Sequence, residues 1–104
     1  MNIEEIASRL DRLESKEDIR SLVSKYAEAC DQQDLKYLES LFTENAEFNS
    51  PNGMLNSKGR QSIIEMYEEV FQTRGPSFHW THDVRVEVNS DNPSKATGTV
   101  YSHA

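Results

Sequence analysis

A single cysteine, Cys30, leaves this chain without an internal disulfide. It falls on a helical apolar stripe, so its first reading is a buried free thiol. No Cys and His residues cluster at the spacing of a zinc site. Basic residues are also in short supply. Eleven Lys and Arg stand against 18 Asp and Glu, for a formal net charge of −7, so the chain should repel phosphate backbones. No basic stripe with interleaved aromatics is present, and nucleic acid is not an expected partner. Long apolar runs are missing too, which excludes a membrane-spanning helix from the expectation. The opening "MNIEEIASRLDRLESKEDIR" carries charge throughout and does not read as a signal peptide. A cytoplasmic location is expected from these absences. Internal repeats and low-complexity segments are lacking as well.

What is present fits one globular domain of common size, 104 residues long. Apolar residues make up 36% and charged ones 28%, and the Tyr, Phe and Trp content argues against disorder. Ile3, Ile6, Leu10 and Leu13 sit at helical spacing, which predicts an amphipathic helix over 3–15. This helix could pack on the domain or on a second chain. Ser15 and Asp18 have the form of a loose capping box and predict the start of a second helix. Its stripe is Ile19, Leu22, Val23, Tyr26, Ala27 and Cys30, and it ends near Asp31-Gln32-Gln33. Asp34 has the character of an N-cap for a short helix with Leu35, Leu38, Leu41 and Phe42.

Beyond it, Phe48 marks a short strand, "SPNG" a turn, and Met54–Asn56 a second extended piece. Gly59 and Arg60 open a further helix with Ile63, Ile64, Tyr67, Val70 and Phe71 on one face. Gly75 and Pro76 are expected to end it. From Phe78 the period becomes two: Phe78, Trp80, His82, Val84, Val86 and Val88 alternate with polar residues. After the turn "NSDNPSK", Ala96–Ala104 predicts an antiparallel partner strand. The class is therefore α+β, helices packed on one face of an antiparallel sheet. The chain stops within the last strand pattern, so the expectation is a fragment, or a sheet completed by another chain.

The stretch "IRSLVSKYAEACDQQDLKYLESLFTENAEF" resembles the opening of SnoaL-like domains in the nuclear transport factor 2-like superfamily. "NSKGRQSIIEMYEEVF" is similar to that family's Gly-led third helix, and "FHWTHDVRVEVNSDNPSKATGTVYSHA" to its long hairpin. The resemblance covers residues 16–104, leaving 1–15 as an amphipathic N-terminal helix ahead of the domain. It implies a cone-like curved antiparallel or mixed sheet packed against N-terminal helices, with a pocket at one end and the last strands missing. Tyr26, Asp31 and His79 resemble the Tyr/Asp/His set of the bile acid 7α-dehydratases; scytalone dehydratase belongs to the same wider group.

Those residue types suit an elimination. A His near neutral pKa can take or give the proton, an Asp can orient it, and a Tyr hydroxyl can donate to a developing oxyanion. The same set serves dehydration, isomerisation and aldol-type cyclisation. Each residue also has a structural role open to it. Asp31 could merely stop a helix, although an acid at the negative end of the helix dipole is mildly unfavourable. Tyr26 could be core. For the histidine two candidates stand: strict alternation groups His82 with Val84, Val86 and Val88, whereas a β-bulge near His82–Asp83 would reverse the phase. The resemblance favours His79. Phe48, Met54, Tyr67, Phe71, Trp80 and His82 are the expected lining of an apolar substrate pocket. The implied activity is a dehydratase-like lyase or isomerase acting on a hydrophobic, carbonyl-bearing ring compound. No metal and no organic cofactor are implied. The expected partners are a small hydrophobic substrate and a second copy of the chain, as a homodimer or higher homo-oligomer. A non-catalytic ligand-binding or dimerising domain is the alternative.

Overall fold

The computed structural model describes residues 1–74 and 80–103. The elements follow the order α1 (Ile3–Gln32), α2 (Leu35–Ser40), β1 (Glu47–Asn49), β2 (Asn56–Lys58), α3 (Arg60–Arg74), β3 (Trp80–Val88) and β4 (Ala96–His103).

α1 is one helix of 30 residues, and the cap expected at Ser15 does not interrupt it. The reason is local. Ser15, Lys16, Glu17 and Asp18 are all tolerated inside a helix at a cost of a few tenths of a kcal/mol each, roughly. No Gly or Pro occurs before Pro51 to force a break. The helix begins instead at Asn2, whose Oδ1 accepts from the Glu5 amide at 2.8 Å. Despite its length, no helix among the described residues is long and apolar enough to cross a membrane.

Its C-terminus is set by Gln33 rather than by Asp31. Gln33 takes the left-handed conformation, with φ of 54°. Its amide donates to the Cys30 carbonyl at 3.1 Å, and the Asp34 amide donates to the Ala29 carbonyl at 3.0 Å. That pair of bonds is a Schellman motif closing the last turn. Asp34 then caps α2, its Oδ1 accepting from the Tyr37 amide at 3.1 Å. One residue therefore separates the end of one helix from the cap of the next.

Two compact units are present. The first runs from Lys25 to the end of α3. Its core is Ala29, Cys30, Leu38, Ile63 and Tyr67, with Leu38 and Ile63 fully enclosed. β1 and β2 form an antiparallel hairpin in which Phe48 pairs with Ser57. The second strand lies two residues later than the Met54–Asn56 expectation, because the turn is longer. Ser50 Oγ accepts from the Leu55 amide, and Asn52 Oδ1 from the Met54 amide, both at 3.0 Å. α3 packs on α2 and on both strands of this hairpin. Gly59, with φ of 88°, turns the chain from β2 into α3. There the Gly59 amide reaches the Ala46 carbonyl at 2.8 Å and the Arg60 amide reaches the Glu44 carbonyl at 2.9 Å. The expected face is the packed one: Ile63 and Tyr67 are buried, and Ile64, Val70 and Phe71 half-buried.

The second unit holds Met1–Ser24 and the β3–β4 hairpin. The strands pair antiparallel from Trp80↔His103 to Val88↔Ala96. Between His82↔Tyr101 and Arg85↔Thr99 the register shifts by one residue, so β3 carries one more residue than its partner. This is the bulge that the alternation left open. It places His82 in the row of paired positions that continues through Arg85 and Glu87, not in the row of Val86. Strict alternation, which groups His82 with the valines, does not hold across it. The turn is fixed by Asn89, whose Oδ1 accepts from the Asp91 and Asn92 amides at 2.8 and 3.0 Å.

Candidate functional site

The chemistry-bearing residues of the first unit gather around Tyr26. Its position on the last turns of α1 is one helical turn before Cys30, so the phenol and the thiol share a face. From α3, Tyr67 brings its hydroxyl into hydrogen-bond contact with the Tyr26 hydroxyl. Aromatic rings surround the pair. Phe42 meets Tyr26 edge-on at 6.4 Å, Tyr67 meets Tyr26 at 6.2 Å, and Phe48 meets Tyr67 at 5.9 Å. Phe71 completes the cluster at 5.7 Å from Tyr67, in a tilted arrangement. These are the edge-to-face distances at which ring quadrupoles attract.

Electrostatics in this nest favour neutral groups. Burial, then the neighbouring Tyr67, pushes the Tyr26 phenol far above the ordinary phenol value. Burial also raises Tyr67, while the hydrogen bond from Tyr26 acts the other way. Cys30 is raised by burial, lowered by its hydrogen bond with Tyr26, and raised again by the charge of Asp31. All three therefore keep their protons at neutral pH. Three X–H protons serve two internal contacts, Tyr26 with Tyr67 and Tyr26 with Cys30. A hydroxyl that accepts one bond becomes a better donor in the next.

Asp31 is the penultimate helical residue of α1 and is half-buried. With Gln33 ending the helix, the acid is not needed as the stop signal. No basic residue occupies that last turn to offset its charge at the negative end of the dipole.

Of the expected pocket lining, Phe48, Tyr67 and Phe71 come together with Tyr26. Met54 does not: it is 82% exposed at the tip of the β1–β2 turn. His79 lies outside the described residues. Trp80 and His82 are described as backbone positions at the start of β3, and their side chains lie outside the description. Phe42 and Cys30 join the cluster without having been singled out as site residues. Cys30 was legible, four residues on from Tyr26. Phe42 carried no signal beyond its apolar character. Among the described residues no group of three His, Cys, Asp or Glu side chains is placed to hold a metal ion.

This architecture, helices with small antiparallel hairpins, is shared by solved proteins of the nuclear transport factor 2-like class. One from Novosphingobium aromaticivorans, described as having a cystatin-like fold, is 26% identical with a TM-score of 0.75, covering 98% of this chain and 73% of that chain. The type 3 hexachlorocyclohexane dehydrochlorinase LinA from Novosphingobium barchaimii is 25% identical with a TM-score of 0.77, covering 90% of this chain and 63% of that one. A scytalone dehydratase-like protein from Novosphingobium aromaticivorans shares the fold at 18% identity, with a TM-score of 0.75 and coverage of 88% and 60%. The chain thus spans a little over 60% of the length of the dehydrochlorinase. The class is therefore α+β and nuclear transport factor 2-like. Within it, the chain belongs to the SnoaL-like domain family, whose model matches residues 11–104. No curated protein matches it.

Proposed function

We propose that this chain forms part of a small-molecule lyase site that carries out a cofactor-independent elimination on a hydrophobic, carbonyl-bearing ring compound. The observation that carries the reading is the Tyr26 hydroxyl, held by Tyr67 inside an aromatic nest, five residues before a half-buried Asp31 that the helix does not need. In this reading His79 removes the proton beside the carbonyl. Asp31 accepts from the imidazole, fixes its tautomer and stabilises the imidazolium. Tyr26 donates to the oxygen on which negative charge develops. The leaving group departs from the adjacent carbon, and His79 returns its proton to the departing hydroxyl. Loss of water and loss of hydrogen chloride are the same elimination with different leaving groups, so the similarity to a dehydrochlorinase supports the class without selecting the substrate. An isomerase would use the same three groups and return the proton to carbon.

A second reading is a ligand-binding or dimerising domain without chemistry. It is favoured by one feature: the Tyr26 hydroxyl already has partners in Tyr67 and Cys30 within the core. Folds of this kind do not fix a reaction.

The test is turnover of a panel of cyclic β-hydroxy and β-chloro ketones by the wild type and by Tyr26→Phe, Asp31→Asn and His79→Ala. The expected result is a loss of about 100-fold or more in kcat for His79→Ala and Asp31→Asn. Unchanged turnover in both removes the assigned roles. Binding of panel members without turnover selects the second reading.

A further inference from the structure

The first three turns of α1 expose apolar side chains that a helix in water normally hides. Ile3 is 84% exposed, Ile6 45%, Leu10 54% and Leu13 63%. Meanwhile the more polar side of the same helix is the covered one, with Arg12, Ser15, Lys16 and Ile19 half-buried. The exposed residues are spaced three, four and three apart, which is the repeat of a two-stranded coiled coil. Glu17 and Arg20 occupy the next two positions of that repeat, so the seam closes after Leu13. It begins where the helix begins, at the Asn2 cap. The face is therefore pre-formed and two heptads long.

We propose that this face seats the same face of a second copy of the chain, as a short parallel coil. The charges flanking the seam select both the partner and the direction. Arg9 immediately precedes the Leu10 position, and Glu14 immediately follows Leu13. In a parallel pair these are the two flanking positions that face each other across the seam. Arg9 of each copy then meets Glu14 of the other, twice by symmetry. An antiparallel pair would instead set the Arg9 and Lys16 side of one helix against the same cationic side of the other. Ala7 and Asn2 flank the remaining turn without charge and oppose neither arrangement. The acids Glu4, Glu5 and Asp11 lie away from the seam.

The proposal is independent of any catalysis and is tested on the full chain by sedimentation equilibrium. The wild type is expected to be a dimer. Leu10→Glu places an acid in the seam and should weaken dimerisation about 100-fold, with the circular dichroism unchanged because the site is exposed. Arg9→Glu should weaken it about tenfold, and Arg9→Glu with Glu14→Arg should restore it to within about threefold of wild type. Leu13→Cys, in a Cys30→Ser background, should oxidise to a disulfide-linked dimer. A monomeric wild type, a dimer indifferent to Leu10→Glu, or a double variant no tighter than Arg9→Glu alone overturns the proposal. Failure of the Leu13→Cys crosslink, with the charge swap intact, overturns the parallel direction.

Discussion

Tyr26 and Tyr67 stand 41 positions apart in sequence, and each looks like an ordinary apolar-stripe residue on its own helix. Their meeting depends on how α3 packs, which no local pattern encodes. Replacing Tyr67 by Phe keeps the ring contacts with Phe48 and Phe71 but removes the hydroxyl partner of Tyr26. The expected cost is about 1–2 kcal/mol of stability, read from urea unfolding. The titration behaviour of the cluster gives a second prediction. The unfolded chain loses the Cys30 proton near 9.0 and the tyrosine protons near 10.0, while the folded chain keeps them. Stability is therefore full below about pH 9 and falls as pH rises, because the unfolded state gains by releasing protons first. Urea midpoints should drop as pH rises above about 9, and the drop should be smaller in Tyr26→Phe. Ile63, with no exposed surface, serves as the packing control. Ile63→Ala should cost about 2–5 kcal/mol through the cavity it leaves.

At the scale of elements, much was legible because it rests on local chemistry. The Asp34 cap, the Gly59 turn into α3, the stripe Ile63–Tyr67–Phe71 and the period-two hairpin all follow from residue types at fixed spacing. Two features were not. Ser15–Asp18 has the composition of a helix start, but a cap needs a non-helical residue before it, and nothing upstream forces one. The stop near Asp31–Gln33 was legible, but the left-handed conformation of Gln33 that makes it was not, because the usual residue there is glycine. That gives a prediction: Gln33→Gly should relieve the left-handed strain and stabilise the protein by about 0.5–1 kcal/mol in thermal unfolding. Gly59→Ala should do the reverse, by roughly 1 kcal/mol, since φ of 88° is strained for any side chain even though the nearest atom to a new Cβ, the Glu44 carbonyl oxygen, is 3.9 Å away.

For the whole molecule, the residues of the proposed site illustrate what a sequence can and cannot supply. Tyr26 and Asp31 sit on one continuous helix, and their neighbourhood follows once α2 and α3 fold against it. The proposed histidine, His79, lies outside the described residues, and the pairing row of His82 nearby depends on a bulge that composition does not announce. The exposed seam of α1 was readable as an amphipathic pattern, but only the structure shows that its apolar side is the uncovered one. If two copies meet there, the melting temperature should rise with protein concentration in the wild type and be independent of it in Leu10→Glu, as mass action requires.

The extra residue in β3 has one further consequence. Between His82 and Arg85 the strand counts one more position than its partner, so a single deletion there would remove the bulge and let the pleat run straight through. His82 would still face Tyr101 and stay in the row of Arg85, because both strands would then count the same number of positions between those pairs. The loss would fall on the extra local twist that a bulge supplies, not on the register. Histidine placement in this hairpin is thus held by the pairing of the two strands rather than by the alternation of one.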